Sequence, residues 1–309
     1  MKTKTIKKVL IKKLNHWLET ITDFELRKEV KENLLVSGGS IASMLLREPV
    51  NDYDIYIQNM DVLYKLANYY CQGIVLDGRK KDIYLNDRFP EIMENDGLMP
   101  DGTKYVAEHF VRINNLKSDQ IKLDIDGIGK RKTIDYKNRE EKDVYEPVFL
   151  SQNAISLSND IQVVLRFNGN PEQIHKTFDF IHATNYFTFS DGLVLNKEAL
   201  ESLLTKNLVY QGSLYPLTSI IRMKKFLGRG FQINAGEILK IMFQISELDL
   251  TDIEVLEDQL IGVDVAYFSV LIEALRGVSK EKLTSSYINQ LIDKIFNNYE
   301  EEDNDYENK

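Results

Sequence analysis

The stretch that decides the fold is Leu34-Leu35-Val36-Ser37-Gly38-Gly39-Ser40, followed by Asn51-Asp52-Tyr53-Asp54-Ile55-Tyr56-Ile57. The apolar run Leu34–Ser37 predicts a short strand, and the glycines after it predict a tight turn that opens a helix over Ile41–Leu46. A second strand is predicted over Tyr53–Ile57. Because alternate residues of a strand point to the same face, Asp52 and Asp54 are expected to lie side by side.

Two carboxylates on one face beside a glycine turn indicate phosphoryl or nucleotidyl transfer. Mg²⁺ prefers oxygen ligands and usually takes one or two carboxylates plus phosphate oxygens, so Asp52 and Asp54 are the predicted metal ligands. Gly38 and Gly39 would let the backbone approach a nucleoside triphosphate without a clash, and the following helix start favours anions. The hydroxyl of Ser40 would donate to a phosphate oxygen.

Composition limits the other classes of function. The chain has 309 residues and a formal net charge of −9, so nucleic acid would need a local basic patch. The single cysteine, Cys71, excludes a disulfide framework. No apolar run approaches the roughly 18 residues that span a bilayer. The start lacks the apolar core of a signal peptide, so a cytoplasmic protein without a membrane partner is expected.

The lysine-rich start is predicted to form an amphipathic helix. Leu10, Leu14, Trp17 and Leu18 recur at helical spacing and would face the core. A solvated lysine face and an RNA-contacting helix are the two interpretations that the pattern leaves open.

The order of elements predicts an α+β domain followed by helices alone. We expect N-terminal helices over 1–33, a mixed domain over 34–196 with an insertion at about 77–119, a helical domain over 197–297 and an acidic, disordered tail over 298–309. The predicted helices of the second part are Lys197–Leu204, Leu217–Leu227, Ala235–Ile245, Asp252–Leu260, Val265–Leu275 and Ser285–Phe296.

These motifs resemble a known family. The run from Leu35 to Ile55, with Gly-Gly, a leucine pair and Asp-apolar-Asp, is similar to the head signature of polymerase-beta-like nucleotidyltransferases, closest to CCA-adding enzymes and bacterial poly(A) polymerases. Phe178–Asn185 is similar to that family's Arg-Arg-Asp-Phe-Thr-Ile-Asn-Ala block. Ile220–Phe226, with Gly230-Phe231, is similar to its neck block, and the order of the blocks is preserved.

The resemblance implies a head with a small mixed sheet and a helical neck and body. It implies Asp52 and Asp54 as ligands of Mg²⁺ or Mn²⁺, Asp179 as a third carboxylate, and Arg222 and Lys225 facing the triphosphate. The implied reaction moves a nucleoside monophosphate from ATP or another nucleoside triphosphate to an acceptor hydroxyl. An RNA 3′ end, such as that of tRNA, is the acceptor that the resemblance suggests.

The chain also departs from that family. Ala42-Ser43 stands where the family has Arg-Asp, and Lys176-Thr177 stands where it has Arg-Arg. Two alternatives therefore stay open. One is a catalytically degenerate fold that acts as a binding or inhibitory module. The other is a phage or toxin type of transferase that modifies a host RNA or protein.

Some residues stay as secondary candidates. Asp124 and Asp126 form a second Asp-x-Asp, which is an alternative source of the third carboxylate. His175 and His182 flank Asp179 and are interpreted as partly buried structural residues. A mix of basic and aromatic residues suited to RNA is formed by Lys224, Lys225, Phe226, Arg229 and Phe231. The nucleotide and the oligomeric state are not predicted.

Overall fold

A computed structural model describes residues 1–71, 145–151, 153–259, 266–276, 278 and 282–296, and the backbone alone of six short strands between residues 75 and 133. The described chain forms two compact units, Met1–Gln211 and Gly212–Lys309. The predicted division after residue 196 comes earlier, at a helix that packs within the first unit.

The first unit begins with helices and then alternates strands and helices. In chain order its elements are α1 (Thr3–Thr20), α2 (Phe24–Asn33), β1 (Leu34–Ser37), α3 (Gly39–Leu46), β2 (Tyr53–Ile57), α4 (Met60–Cys71), β3 (Val75–Leu76), β4 (Arg79–Lys80), β5 (Asp82–Leu85), β6 (Phe110–Lys117), β7 (Gln120–Ile125), β8 (Arg131–Thr133), β9 (Pro147–Ser151), β10 (Ala154–Leu157), β11 (Ile161–Val164), α5 (Pro171–His175), a 3₁₀ turn (Ile181–Ala183), β12 (Tyr186–Thr188), β13 (Gly192–Val194) and α6 (Lys197–Thr205). The strands predicted at Leu34–Ser37 and Tyr53–Ile57 are confirmed.

The main sheet has eight strands in the order β13-β12-β1-β2-β11-β10-β9-β8. Its only parallel pair among the described strands is β2 with β11, where Asp54 lies opposite Gln162. The other neighbours are antiparallel, including β1 with β2 and β1 with β12. The prediction of an α+β fold with a mixed sheet is confirmed.

The two faces of the sheet bury different residues. One face carries Tyr53, Ile55 and Ile57 and packs against the first four helices in the large core. The other face carries Leu35 and Tyr56 and packs around the first helix that follows β11, at Ile174. Since Asp54 has the same parity as Tyr56 in β2, its carboxylate belongs to this second face.

The second unit is helical, as predicted. Its elements are α7 (Pro216–Gly228), α8 (Ala235–Ser246), α9 (Ile253–Gln259), α10 (Ala266–Leu275) and α11 (Ser285–Phe296). It has its own core, in which Leu256, Leu271, Leu275, Leu283 and Ile295 are buried.

Parts of the sequence predictions lie outside the described residues. These include most of the insertion at 77–119 and the whole tail at 298–309. Within the described part of the chain, none of the helices combines the length and the apolar character that crossing a membrane requires.

Candidate active site

The centre of the candidate site is the turn between β1 and α3. β1 ends at Ser37, and Gly38 then takes φ 91° and ψ −146°, a conformation that residues with a side chain rarely adopt. α3 begins at Gly39, and a Cβ built there would meet no heavy atom within 4 Å among the described residues beyond its chain neighbours and its own helix. The turn is therefore tight on the Gly38 side and open on the Gly39 side.

Asp54 closes the tight side of this turn. The antiparallel register pairs Val36 with Ile55, so Asp54 comes one residue beyond that pair and reaches the glycines. A Cβ added to Gly38 would lie 3.0 Å from Oδ2 of Asp54, which is closer than ordinary van der Waals contact. The structure thus brings together the glycine turn and the second aspartate, which are separated by more than a dozen residues in the sequence.

Asp52 lies directly before β2 and is exposed, whereas Asp54 is half-buried inside the strand. Both residues take part in further interactions within the fold. The intervening Tyr53 is buried on the opposite face, where its ring lies under the amine of Lys13 at 5.2 Å. The alternation is thus present between Tyr53 and Asp54, and β2 begins one residue after Asp52.

A buried hydrogen-bond network holds the glycine turn in place. The N–H of Gly38 donates to the carbonyl oxygen of Ala183 over 3.0 Å. The hydroxyl of Ser37, which is fully buried, lies 2.9 Å from the carbonyl oxygen of Asn185 and 3.2 Å from that of Ala183. These bonds tie the start of α3 to the 3₁₀ turn and to the start of β12.

His175 completes this network. Its Nε2 lies 2.9 Å from the hydroxyl oxygen of Ser37. Burial lowers the pKa of His175 to about 4, so the ring is neutral at pH 7. The single hydroxyl proton of Ser37 is directed to a carbonyl oxygen, so the serine accepts from Nε2–H. No sequence pattern indicates this contact, because the two residues are 138 positions apart.

Ser40 does not present its hydroxyl at the surface. It is 2% exposed, and Oγ has no hydrogen-bond partner among the described residues. The backbone N–H groups of Gly39 and Ser40 are the first of α3 and have no partner within the helix. At this turn the backbone is therefore better placed than the hydroxyl to meet an anion.

Asp179 lies in the segment that leads into the 3₁₀ turn and is 4% exposed. Its carbonyl oxygen accepts from the N–H of Gln211 over 3.0 Å. The side-chain amide of Gln211 also donates to the carbonyls of His175 at 2.7 Å and Phe178 at 2.9 Å. Asp179 takes part in a further interaction within the fold.

The alternative third carboxylates are placed differently. Asp124 lies on β7, in a three-stranded sheet with β5 and β6 that is separate from the sheet of Asp54. It stands opposite Arg112 of β6. Asp126 lies outside the described residues.

Arg222 and Lys225 lie on α7 in the second unit, and their role at the triphosphate stays a prediction. In the same unit Phe226 and Phe231 form an aromatic pair with ring centroids 5.9 Å apart. Phe231 is 4% exposed, so its ring is buried. This burial disfavours the pair as a platform for stacking RNA bases.

The described residues contain no cluster of three or more histidine, cysteine or acidic side chains suited to a metal ion. Asp52 and Asp54 remain the pair with the right chemistry. Two carboxylates are enough for Mg²⁺ when phosphate oxygens and water supply the other ligands.

Comparisons with solved structures find similar chains among CCA-adding enzymes. The chain is similar to the Thermotoga maritima CCA-adding enzyme complexed with tRNA, with 12% identity, 89% of this chain and 53% of that chain covered, and a TM-score of 0.42. It is also similar to the Bacillus stearothermophilus CCA-adding enzyme in complex with CTP, with 12% identity, coverage of 90% and 56%, and a TM-score of 0.37. The chain spans about half the length of these enzymes.

Comparisons of sequence give a phage relative. The protein named Gabija anti-defense 2 from Bacillus phage SPbetaL7 is 24% identical over 132 residues, which are 42% of this chain and 32% of the relative. The match thus covers about a third of that protein. The family described as Gabija anti-defense 2 family protein matches residues 8–206, which include the glycine turn, both aspartates and the buried network. The chain belongs to the Gabija anti-defense 2 family.

Proposed function

We propose that this protein is a metal-dependent nucleotidyltransferase whose activity counters the Gabija defence. It moves a nucleoside monophosphate from a nucleoside triphosphate to an acceptor hydroxyl, and pyrophosphate leaves. The observation that carries this proposal is the carboxylate of Asp54 against the glycine turn, 3.0 Å from where a Cβ of Gly38 would lie. The family's name and the phage origin of the relative support the proposal that this activity counters the Gabija defence.

Asp52 and Asp54 would hold Mg²⁺ or Mn²⁺, because their carboxylates supply the oxygen ligands that these ions prefer. When bound, such an ion activates the attacking hydroxyl and neutralises charge on the phosphates. Asp179 is proposed as the third carboxylate. Its burial and its anchored backbone would keep it in a fixed position relative to the 3₁₀ turn.

The nucleotide is proposed to lie with a phosphate at the start of α3. The N–H of Gly38 already donates to Ala183, so the N–H groups of Gly39 and Ser40 are the donors left for a phosphate oxygen. The open space over Gly39 gives the phosphate room to approach the backbone. Arg222 and Lys225 are proposed to neutralise the rest of the triphosphate.

The direct test uses purified full-length protein, Mg²⁺ and each labelled nucleoside triphosphate, with total RNA or cell extract as acceptor. We expect release of pyrophosphate and transfer of label to an RNA or to a protein, and gel analysis of the product distinguishes the two. Asp52→Asn with Asp54→Asn should lower the release by more than about 100-fold, because losing even an outer partner of a metal ligand costs about 10–100-fold.

The matched control is Glu19→Gln with Asp61→Asn, which neutralises two exposed acids of α1 and α4. This variant should keep the wild-type rate. Equal pyrophosphate release from the aspartate variant and the wild type would remove Asp52 and Asp54 from the mechanism. In cells that carry Gabija, the aspartate variant should no longer rescue phage plating.

A second candidate function is an inhibitory binding module without catalysis. The observation that favours it is the burial of Ser40, Ala42 and Ser43, the last two at positions where the resembling family has Arg-Asp. An aspartate variant that restores phage plating as well as the wild type would select this second function. Calorimetry with Mg²⁺ and each nucleotide gives an independent readout, because a pure protein binder shows no metal-dependent heat.

A further inference from the structure

We propose that the exposed face of α1 binds the phosphate backbone of a nucleic acid. We define the α1 lysine face as Lys4, Lys8 and Lys12, which are all exposed. The whole chain has a formal charge of −9, and its first 18 residues contain six lysines and no acid, so the remaining residues carry −15. The positive charge is therefore concentrated at the start of the chain, whereas the rest of the chain is negative.

The helix presents these charges as a regular row. Lys4, Lys8 and Lys12 follow one another at four-residue spacing, which is about 6 Å per step along a helix. The opposite side of α1 is buried through Ile6, Leu10, Leu14 and Trp17, which fixes the lysine row toward solvent. Packing of the core thus determines the direction in which the charges point.

The arrangement is unfavourable for an isolated helix. Like charges four residues apart repel each other, and cations near a helix N-terminus oppose the helix dipole. α1 has no acid in its first turn and no side-chain cap, whereas α2 has both Glu25 in its first turn and a cap from Asp23. Such a local conflict with helix electrostatics is typical of a functional surface.

No internal partner offsets this charge in the described part of the chain. The three residues of the α1 lysine face form no ion pair or hydrogen bond with another described side chain. The sixth lysine of the helix, Lys13, is different, because it lies between two tyrosine rings and 3.8 Å from Asp160. The α1 lysine face is thus available to an external polyanion.

A nucleic acid fits this face better than a membrane does. A helix that lies in a bilayer interface needs an exposed apolar side, but the exposed large apolar side chains of the described residues include none from α1. A nucleic acid carries evenly repeated charges along a line, as the lysine row does. The acidic residues elsewhere in the chain would repel the phosphate backbone of the nucleic acid, so it would stay on this face.

The surface is separate from the candidate active site. α1 covers the face of the sheet that carries Tyr53, and Asp54 points to the opposite face. Binding here does not require nucleotidyl transfer, so the two proposals can succeed or fail independently.

The test measures the affinity of full-length protein for labelled single-stranded RNA, single-stranded DNA and duplex over a range of salt concentrations. The variant Lys4→Gln, Lys8→Gln, Lys12→Gln should bind at least about tenfold more weakly at low salt, without regard to sequence. For single strands, the magnitude of the slope of log K against log salt should decrease by about 2, because each of the three lost phosphate contacts contributes roughly 0.7 to it. Circular dichroism checks that α1 still folds.

The matched control is Lys28→Gln, Lys197→Gln, Lys294→Gln, which removes the same charge from exposed lysines elsewhere. It should keep the wild-type affinity and salt slope. The proposal is overturned if the α1 variant binds as tightly as the wild type, or if the control loses as much affinity. Binding to anionic vesicles but to none of the nucleic acids would also overturn it.

Discussion

The carboxylate of Asp54 fills the space that a side chain on Gly38 would need, since a Cβ there would lie 3.0 Å from Oδ2. The adjacent Gly39 has the opposite surroundings, with no heavy atom within 4 Å of its Cβ position. The two glycines of one turn therefore have different functions. Gly38 permits the conformation and the contact with Asp54, and Gly39 leaves an approach to the backbone.

Gly38→Ala should destabilise the protein by about 1–3 kcal/mol, because a residue with a side chain is strained at φ 91° and would also displace Asp54. Gly39→Ala should leave stability unchanged or slightly higher, because alanine suits the first turn of a helix better than glycine does. Urea unfolding of the two variants measures the difference. Equal losses from both would contradict the asymmetry described above.

Ser37→Ala should destabilise the first unit by about 1–3 kcal/mol, since it leaves Nε2 of His175 and a buried carbonyl without their partner. Ser190→Ala, at an exposed position in the β12–β13 hairpin, is the matched control and should have little effect. Thermal unfolding compares the pair. A wild-type melting temperature for the Ser37 variant would show that the network adds nothing.

Acidification should weaken the fold through His175. Its folded-state pKa of about 4 lies below the ordinary value of 6.5, so the unfolded chain binds more protons between these limits. The stabilisation from neutral His175 is complete above about pH 6.5 and is lost as the pH falls toward 4. Between the upper and the lower end of this pH window, the urea midpoint should fall further for the wild type than for His175→Gln. Equal falls in the two proteins would exclude His175 as the cause of the acid sensitivity.

Lys8→Glu should stabilise the protein by roughly 0.5–1 kcal/mol while weakening nucleic-acid binding. The change converts two repulsive four-residue pairs, with Lys4 and with Lys12, into attractive ones. Denaturant unfolding at low salt measures the gain, and the gain should shrink at high salt. A destabilised variant would mean that the lysine row is not under internal repulsion.

Cys71 should be unreactive in the folded protein. Complete burial raises the pKa of its thiol to about 12, so almost no thiolate is present at pH 8. A maleimide reagent should label the protein only after unfolding in urea. Rapid labelling under native conditions would show that the C-terminal end of α4 opens readily.

Local pattern was enough to predict the central part of the fold. Leu34–Ser37 and Tyr53–Ile57 were predicted with the observed limits, because each is an apolar run bounded by turn residues or acids. The β12–β13 hairpin was missed, although Asp191-Gly192 is a turn signal of the kind used elsewhere in the chain. β9 was missed as well, at Pro147–Ser151, where no clean alternation marks a strand.

The site was predictable only as far as its residues are close in sequence. The glycine turn and Asp54 could be placed together because one helix and one loop separate them. The contact of Ser37 with His175 could not, since it depends on how α5 packs on the face of the sheet that carries Leu35. The burial of Ser40 could not be predicted either. A serine that follows two glycines is expected to be exposed, and only the packing of α3 shows that it is buried.

The alternation of Tyr53 and Asp54 in β2 has a consequence for how this protein can change over evolution. A slip of one residue in the pairing of β2 would move the phenol toward the glycine turn and bury the carboxylate among the helices. The same error would thus disrupt both the candidate site and the core. Insertion or deletion of a single residue within this strand therefore exchanges its two faces.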